Sequence, residues 1–249
     1  MNVKMIATDL DCTLLRTDKT VSEYTVNVLS RCRERGIKLV FVTARPPSMV
    51  KEFTDVLSPD AVCVNNGSCI FIECNPPVKF FFEQETQRSL LRELSRNDSF
   101  YRISAQTGEK DYTSTADTGY KTYMDFTQET DERFGLIAFH YRNIKEVARV
   151  LQPYRDIRYH FVSGTDLVDI FPEHASKISS IKIVAAHWGI NVANIAAFGD
   201  DYNDIDLLRE CGIGVAVENA IDEAKAAANY ICDSNDNDGM AKWIEANIL

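Results

Sequence analysis

Short apolar runs alternate with amphipathic stretches at both ends of this chain, and three of the runs stop at a carboxylate or a hydroxyl. Residues 3–8 run straight into Asp9, residues 37–42 into Thr43, and residues 195–198 into Gly199-Asp200. Residues 61–64 and 213–217 are runs of the same kind. Nearly continuous apolar character over so short a length is what a strand buried on both faces requires. The stretches between them read as helices at 22–35, 47–57, 176–188, 204–211 and 221–228. In the first of these Ser22 supplies an N-cap, Val21 and Val26 sit at staple positions, and Gly36 ends the helix. Pro47 stands near the first turn of the second. A short strand at 230–232 and a terminal helix at 239–247 complete the series. Strand and helix in alternation predict a parallel sheet with right-handed crossovers.

The pattern breaks after Gly67. Residues 70–72 and 78–82 read as strands flanking a turn at Asn75-Pro76-Pro77, and the Phe80-Phe81-Phe82 run reads as core at a hinge. Beyond it, helices at 86–95 and 144–151 mix with more polar strands at 101–104, 136–140, 157–162 and 167–171, and 111–133 is polar without a clear period. The chain is therefore expected to build one α/β domain from 1–82 and 173–249, with an α+β domain inserted at 83–172. The strand that leads into Asp9 is expected in the middle of the sheet, between those that lead into Thr43 and Asp200.

A formal charge of −10 disfavours a duplex nucleic acid or an anionic membrane as partner, because basic surfaces meet both. No apolar run is long enough to span a bilayer, and the first residues resemble no signal peptide, so a cytoplasmic protein is expected. The seven cysteines are odd in number and form no CxxC pair, which points to free thiols in a reducing compartment. Cys63, Cys69 and Cys74 fit no zinc spacing, and none of His140, His160, His174 and His187 forms a metal-spaced pair.

Four places carry chemistry. Asp9-Leu10-Asp11-Cys12-Thr13-Leu14 sets two carboxylates at the C-terminal end of a buried strand, the edge where open α/β sheets bind ligands. Side by side they repel unless a cation or a shared proton intervenes. Gly199-Asp200-Asp201-Tyr202-Asn203-Asp204 follows another buried strand and opens a helix. Asp200 and Asp204 can there converge on a hard divalent cation, though acidic first-turn residues favour any helix. Thr43-Ala44-Arg45 offers a hydroxyl and backbone N–H groups to an anion, or simply ends a strand. Lys177 opens a helix against the macrodipole, a placement that suits an intervening anion or exposure to water.

Their succession along one α/β pattern resembles the haloacid dehalogenase-like hydrolases, in particular the Cof-type branch with a type IIB cap. The four motifs of that family correspond to Asp9–Leu14, Thr43, Lys177 and Gly199–Asp204, and Asn65-Asn66-Gly67-Ser68 is similar to its Asn-Gly stretch before the cap. The resemblance spans essentially the whole chain. It implies a Rossmann-like core with a parallel sheet and an inserted α+β cap of type C2B that sets selectivity. It also implies a Mg²⁺-dependent phosphatase acting on a small phosphorylated metabolite, a sugar phosphate first of all. Asp9 would be the nucleophile that becomes an aspartyl-phosphate, and Asp11 the general acid and then base. Mg²⁺ would be held by Asp9, Asp200 and the backbone carbonyl of Asp11, with Asp204 in support. Thr43 and Lys177 would hold phosphoryl oxygens, and Asn203 would orient substrate. The same chemistry would serve a phosphomutase or phosphotransferase, and the fold alone would serve a binding protein. Three positions depart from the family pattern: Cys12 stands where Gly is usual, Ala44 replaces the commoner Gly, and Ile178 follows Lys177. Cys12 beside carboxylates is a poor nucleophile, since negative neighbours raise a thiol's pKa.

Overall fold

A computed structural model describes residues 2–116 and 121–249. In chain order its elements are β1 (Met5–Thr8), α1 (Glu23–Glu34), β2 (Lys38–Val42), α2 (Lys51–Leu57), β3 (Ala61–Val64), β4 (Cys69–Ile72), β5 (Val78–Lys79) and α3 (Gln84–Arg96). There follow β6 (Phe100–Gln106), β7 (Asp111–Thr113), β8 (Thr122–Tyr123), β9 (Leu136–Tyr141), α4 (Ile144–Leu151), β10 (Ile157–Phe161) and β11 (Leu167–Pro172). The chain ends with α5 (Lys177–His187), β12 (Ile195–Gly199), α6 (Ile205–Glu210), β13 (Ile213–Val217), α7 (Asp222–Ala227), β14 (Tyr230–Cys232) and α8 (Gly239–Asn247).

Two sheets organise these elements. The first has eight strands in the order β14-β13-β12-β1-β2-β3-β4-β5, parallel from β14 to β3 and antiparallel beyond. As the sequence pattern predicts, β1 lies between β2 and β12. Side chains on successive residues alternate between two apolar layers. Ile6, Leu39, Phe41 and Phe198 pack with α1, α2 and α8, whereas Met5, Ala7, Val40 and Val42 pack with α5 and α6. This is the Rossmann-like α/β core. The second sheet, β10-β11-β9-β6-β7-β8, is antiparallel except for the β7–β8 pair. One of its faces buries Phe100, Ala105, Ile137, Phe139, Val168 and Ile170 against Leu90, Leu91 and Leu94 of α3 and Val147, Val150 and Leu151 of α4. It has the form of an α+β cap.

Local signals account for the boundaries. The Ser22 hydroxyl accepts from the Thr25 amide and starts α1. The helix expected at 47–57 divides into a tight turn at Pro47–Met49 and α2, with Val50 between them. The polar stretch 111–133 holds only the two short strands β7 and β8 among its described residues. Of the phenylalanine run, Phe82 is buried in the cap cluster while Phe80 packs on the core side.

Where β3 ends, Asn65 and Asn66 both take positive φ and Gly67 has φ +88°. A Cβ on Gly67 would stand 2.3 Å from the carbonyl oxygen of Ser176, the N-cap of α5. Only a residue without a side chain lets this loop lie against the helix that begins with Lys177. Gly67→Ala is therefore expected to destabilise the chain by about 1–3 kcal/mol, read from urea unfolding, because it combines a steric overlap with a left-handed φ. An unchanged midpoint would show that the loop and α5 part without cost.

Candidate active site

Strand register brings the site together. Thr8 pairs with Phe41 on one side and Phe198 on the other, so Asp9, Thr43 and Asp200 leave three adjacent parallel strands at one edge. The Asp9 amide still donates to the carbonyl of Phe198 at 3.0 Å, which fixes the nucleophile candidate at the strand end. The chain then turns tightly through 10–14, with Cys12 at φ +56°. That is the left-handed region which costs a non-glycine residue about 1–2 kcal/mol, and it is the physical reason a glycine would suit the position. The carbonyl of Cys12 accepts from Asn219 Nδ2 at 2.8 Å, which helps to hold the turn. Burial, with Asp200 adding to it, raises the Cys12 thiol above its ordinary value, which disfavours the thiolate.

Lys177 lies at the centre. It is 2% exposed, and its Nζ donates to Asp9 Oδ1 at 2.8 Å and to Asp204 Oδ1 at 2.7 Å. Burial works against its charge, but Asp204 and Asp9 hold its pKa above the ordinary lysine value. The sequence leaves two readings for a lysine that opens a helix, and the buried one applies: a carboxylate pair, not water, compensates the ammonium. Asp204 is fully buried; its Oδ2 accepts from the amides of Asp200 and Asp201 at 3.1 and 3.2 Å. A Cβ on Gly199 would fall 2.4 Å from Asp204 Cβ, so the glycine makes room for this tuck.

Asp9, Asp200 and Asp204 present carboxylate oxygens within 4.8 Å of one another. One lysine cannot offset three such charges. Burial pushes Asp9 up to about 7, with Lys177 opposing and Asp204 adding to the rise. Burial, then Asp9 and Asp204, push Asp200 up to about 8, although Thr13 Oγ1 donates to it at 2.8 Å. The arrangement is short of positive charge, and its hard oxygen donors fit a small divalent cation.

Asp11 turns away from this cluster. Arg45 grips both its oxygens, Nε to Oδ2 at 2.6 Å and Nη2 to Oδ1 at 2.7 Å, and Lys19 Nζ adds a third contact at 2.7 Å. Burial raises a carboxyl, but these two cations outweigh it and bring Asp11 down to about 2. Thr43 is 1% exposed and its Oγ1 accepts from the Arg45 amide at 3.1 Å, so its hydroxyl shapes the loop that presents Arg45. Asn203 Nδ2 donates to Asn66 Oδ1 at 2.7 Å, and Asn66 Nδ2 lies 3.5 Å from Asp169 Oδ2 on the cap. The chain of amides from Asn203 through Asn66 thus links the fourth motif to the cap sheet. Lys19, Asp169 and Gln106 carried no sequence signal of their own. Lys19 follows the turn at a distance that only the fold closes; Asp169 belongs to the expected strand at 167–171, and Gln106 lies beyond the expected 101–104, at the end of β6.

The comparisons agree with this geometry. The family model for haloacid dehalogenase-like hydrolases matches residues 6–244. The chain is 28% identical to the pyridoxal phosphate phosphatase YbhA of Escherichia coli, over 100% of both chains. It is 25% identical to the 5-amino-6-(5-phospho-D-ribitylamino)uracil phosphatase YcsE of Bacillus subtilis, over 100% of this chain and 97% of that one. Among solved structures, the phosphatase BT1666 from Bacteroides thetaiotaomicron superposes with a TM-score of 0.86 at 23% identity, covering 98% of this chain and 94% of its own. The subclass IIB sugar phosphatase BT4131 also reaches 0.86, at 20% identity and 98% coverage of each chain. The carboxylate edge, the inserted cap and the family match lead to one conclusion: this chain belongs to the haloacid dehalogenase-like hydrolases.

Proposed function

We propose that the chain is a Mg²⁺-dependent phosphatase that hydrolyses a small phosphorylated metabolite, foremost a sugar phosphate, through an aspartyl-phosphate on Asp9. One observation carries this reading: Asp9 sits at a strand end with its Oδ1 on the Lys177 ammonium, inside a carboxylate cluster one positive charge cannot balance. Two relatives carry names of phosphatases that act on small phosphorylated metabolites, which supports the substrate class. Seven free thiols support a reducing, cytoplasmic setting.

Asp9, Asp200 and the carbonyl of Asp11 would hold Mg²⁺, with Asp204 behind them, and the ion would offset the charge of the entering phosphate. Asp204 suits a supporting place, because its two oxygens are already engaged by Lys177 and two backbone amides. A carboxylate oxygen of Asp9 attacks phosphorus, the ester P–O bond breaks, and Asp11 gives its proton to the leaving oxygen. Asp11, now a carboxylate, takes a proton from water; the water oxygen attacks phosphorus and the Asp9–phosphorus bond breaks. The grip of Arg45 and Lys19 favours the carboxylate form, so proton donation requires Asp11 to swing free of them. Thr43 and Lys177 position phosphoryl oxygens, and Asn203 helps to orient substrate. The cap, which we place at 83–172 between core segments 1–82 and 173–249, covers the site during the first step and excludes water.

Phosphate release from a panel of phosphomonoesters tests the reading. Wild type is expected to turn over at least one ester only with Mg²⁺, and Asp9→Asn to lose at least about 10⁴-fold in kcat, the scale seen when a covalent nucleophile is removed. No release by wild type from any ester contradicts hydrolase chemistry and favours a phosphotransferase that needs an acceptor, or a binding protein.

The charge cluster also sets a pH dependence of stability. Asp9 and Asp200 titrate near 7 and 8 in the folded chain and near 3.8 when unfolded, so the folded state holds extra protons between these values. Stability of the metal-free protein accordingly declines as pH rises through that window. At pH 8 metal-free Asp200→Asn is expected to melt above metal-free wild type. Mg²⁺ at about 100 times its Kd is expected to stabilise wild type by about 2.7 kcal/mol, and the variant by much less. A variant that melts lower than wild type at pH 8, or keeps the full Mg²⁺ shift, contradicts this electrostatic account.

A further inference from the structure

Between the two sheets lies a cleft of about 730 Å³, within the range of small-molecule sites. The core contributes Ala44, Arg45, Pro46 and Met49, the loop that follows Thr43. The rest of the described lining comes from the cap, and strand alternation decides its chemistry. On β9, Ile137 and Phe139 face the cap helices while Leu136, Ala138 and His140 face the cleft. On β11, Val168 and Ile170 face inward and Asp169 faces the cleft. On β6, Ile103 and Ala105 are inward, and Arg102, Ser104 and Gln106 line the cleft. The inner face thus takes Phe100 and Phe139. No Phe, Tyr or Trp lines the cleft among the described residues, so His140 brings the one aromatic ring to it.

The cleft face is instead polar, buried and incompletely paired. Gln106 is 7% exposed, and its Oε1 has no hydrogen-bond donor. Asp169 is 6% exposed; Asn66 Nδ2 stands 3.5 Å and His160 Nε2 3.7 Å from its carboxylate, and the Lys121 ammonium also acts on it. Burial pushes this carboxyl up to about 7, and burial likewise pushes His160 down to about 4, so the imidazole lends it no full charge. Thr113 is spent on Thr115, hydroxyl to hydroxyl at 3.1 Å. A buried amide oxygen without a donor costs about 1–3 kcal/mol, and both Gln106 Oε1 and the Asp169 carboxylate accept hydrogen bonds. A ligand rich in O–H groups supplies the missing donors. A β-bulge between Tyr101 and Ser104, with Arg102 at φ +47°, turns Arg102 to the same cleft, and Lys121 and Arg45 line it as well. In a chain of charge −10 these cations draw a phosphate dianion inward.

We infer that Gln106 and Asp169 form a hydroxyl-recognising wall on the cap, which selects a sugar or polyol, and not an aromatic ring system, as the leaving group of the phosphate ester. The inference rests on the phosphatase reading above. Gln106 Oε1 and the Asp169 carboxyl accept hydrogen bonds from two hydroxyls of the leaving group, while the phosphoryl group lies toward Thr43 and Asp9. A site that bonds a substrate hydroxyl discriminates strongly against an ester lacking it, because the wall is then left unpaired.

The test compares kcat/KM with Mg²⁺ for glucose 6-phosphate, ribitol 5-phosphate and sorbitol 6-phosphate against p-nitrophenyl phosphate and pyridoxal 5-phosphate. Wild type is expected to favour the best polyol ester over both aromatic esters. In Gln106→Leu and in Asp169→Leu, which remove the acceptor, that preference is expected to fall by about 10- to 100-fold, the loss of one hydrogen bond to a buried partner. Circular-dichroism melting checks folding, and Gln106→Met, similar in length but without the amide oxygen, serves if the leucine variant does not fold. Preference of wild type for the aromatic esters, or a preference unchanged in both variants, overturns the inference and leaves the phosphatase reading intact. Absence of metal-dependent turnover of every ester overturns the phosphatase reading itself, and this inference with it.

Discussion

A single buried ammonium holds this site together. Lys177 is sealed from water, and it binds Asp9 from the first strand and Asp204 from the turn after β12. Removing either partner from such a pair leaves a charge in low dielectric, a loss of about 3–5 kcal/mol in comparable cases. The surrounding structure is arranged to keep the lysine there. The Asn65–Gly67 turn lies against the start of α5, Gly199 leaves space for Asp204, and two amides of the 200–201 turn fix its second oxygen. The same interaction explains the deficit beside it. Three carboxylates within 4.8 Å share one cation, so Asp9 and Asp200 hold protons near neutrality. A folded chain that tolerates this imbalance gives up stability in exchange for a place that a cation and a phosphate can complete.

The two domains divide the work by chemistry. The core supplies rigid strand ends, where backbone pairing sets Asp9, Thr43 and Asp200 side by side. The cap supplies a sheet whose helix-facing side takes Phe100 and Phe139 and whose cleft side takes Ser104, Gln106 and Asp169. Asn66 bridges them, bonded to Asn203 on one side and within reach of Asp169 on the other. Asp11 stands at the same junction: Arg45, which clasps it, also lines the cleft. A group entering the cleft therefore meets one of the two cations that hold Asp11.

How much of this the sequence reveals depends on the distance over which each signal acts. The core strands are legible because each is a continuous apolar run, and α1 because Ser22, Val21 and Gly36 punctuate it locally. The central place of β1 agrees with the expectation drawn alongside the family resemblance. The cap helices show a clear apolar period, with Leu90, Leu91 and Leu94 on one face of α3 and Val147, Val150 and Leu151 on one face of α4. The short strands β7 and β8 have too few residues to show any period. In the site, residues that cluster in motifs could be read directly, because Asp9, Asp200 and Asp204 stand at strand ends. Partners brought in by folding could not. Lys19 reaches Asp11 across the turn, Arg45 comes from the next strand, and Asp169 meets Asn66 across a separation of 103 residues. No local pattern encodes such contacts. The burial of Lys177 was likewise open in the sequence, since a lysine at a helix start is compatible with water or with an anion.

The account turns on Asp9 as the atom that accepts phosphorus. Borohydride reduction during turnover tests this directly, because it converts an acyl phosphate to the alcohol of homoserine. Peptide mass spectrometry of protein quenched with a substrate ester and Mg²⁺ is predicted to find homoserine at position 9, and to find none when the ester is withheld. Homoserine at another aspartate, or none during rapid phosphate release, would contradict the account and show that water attacks phosphorus without Asp9.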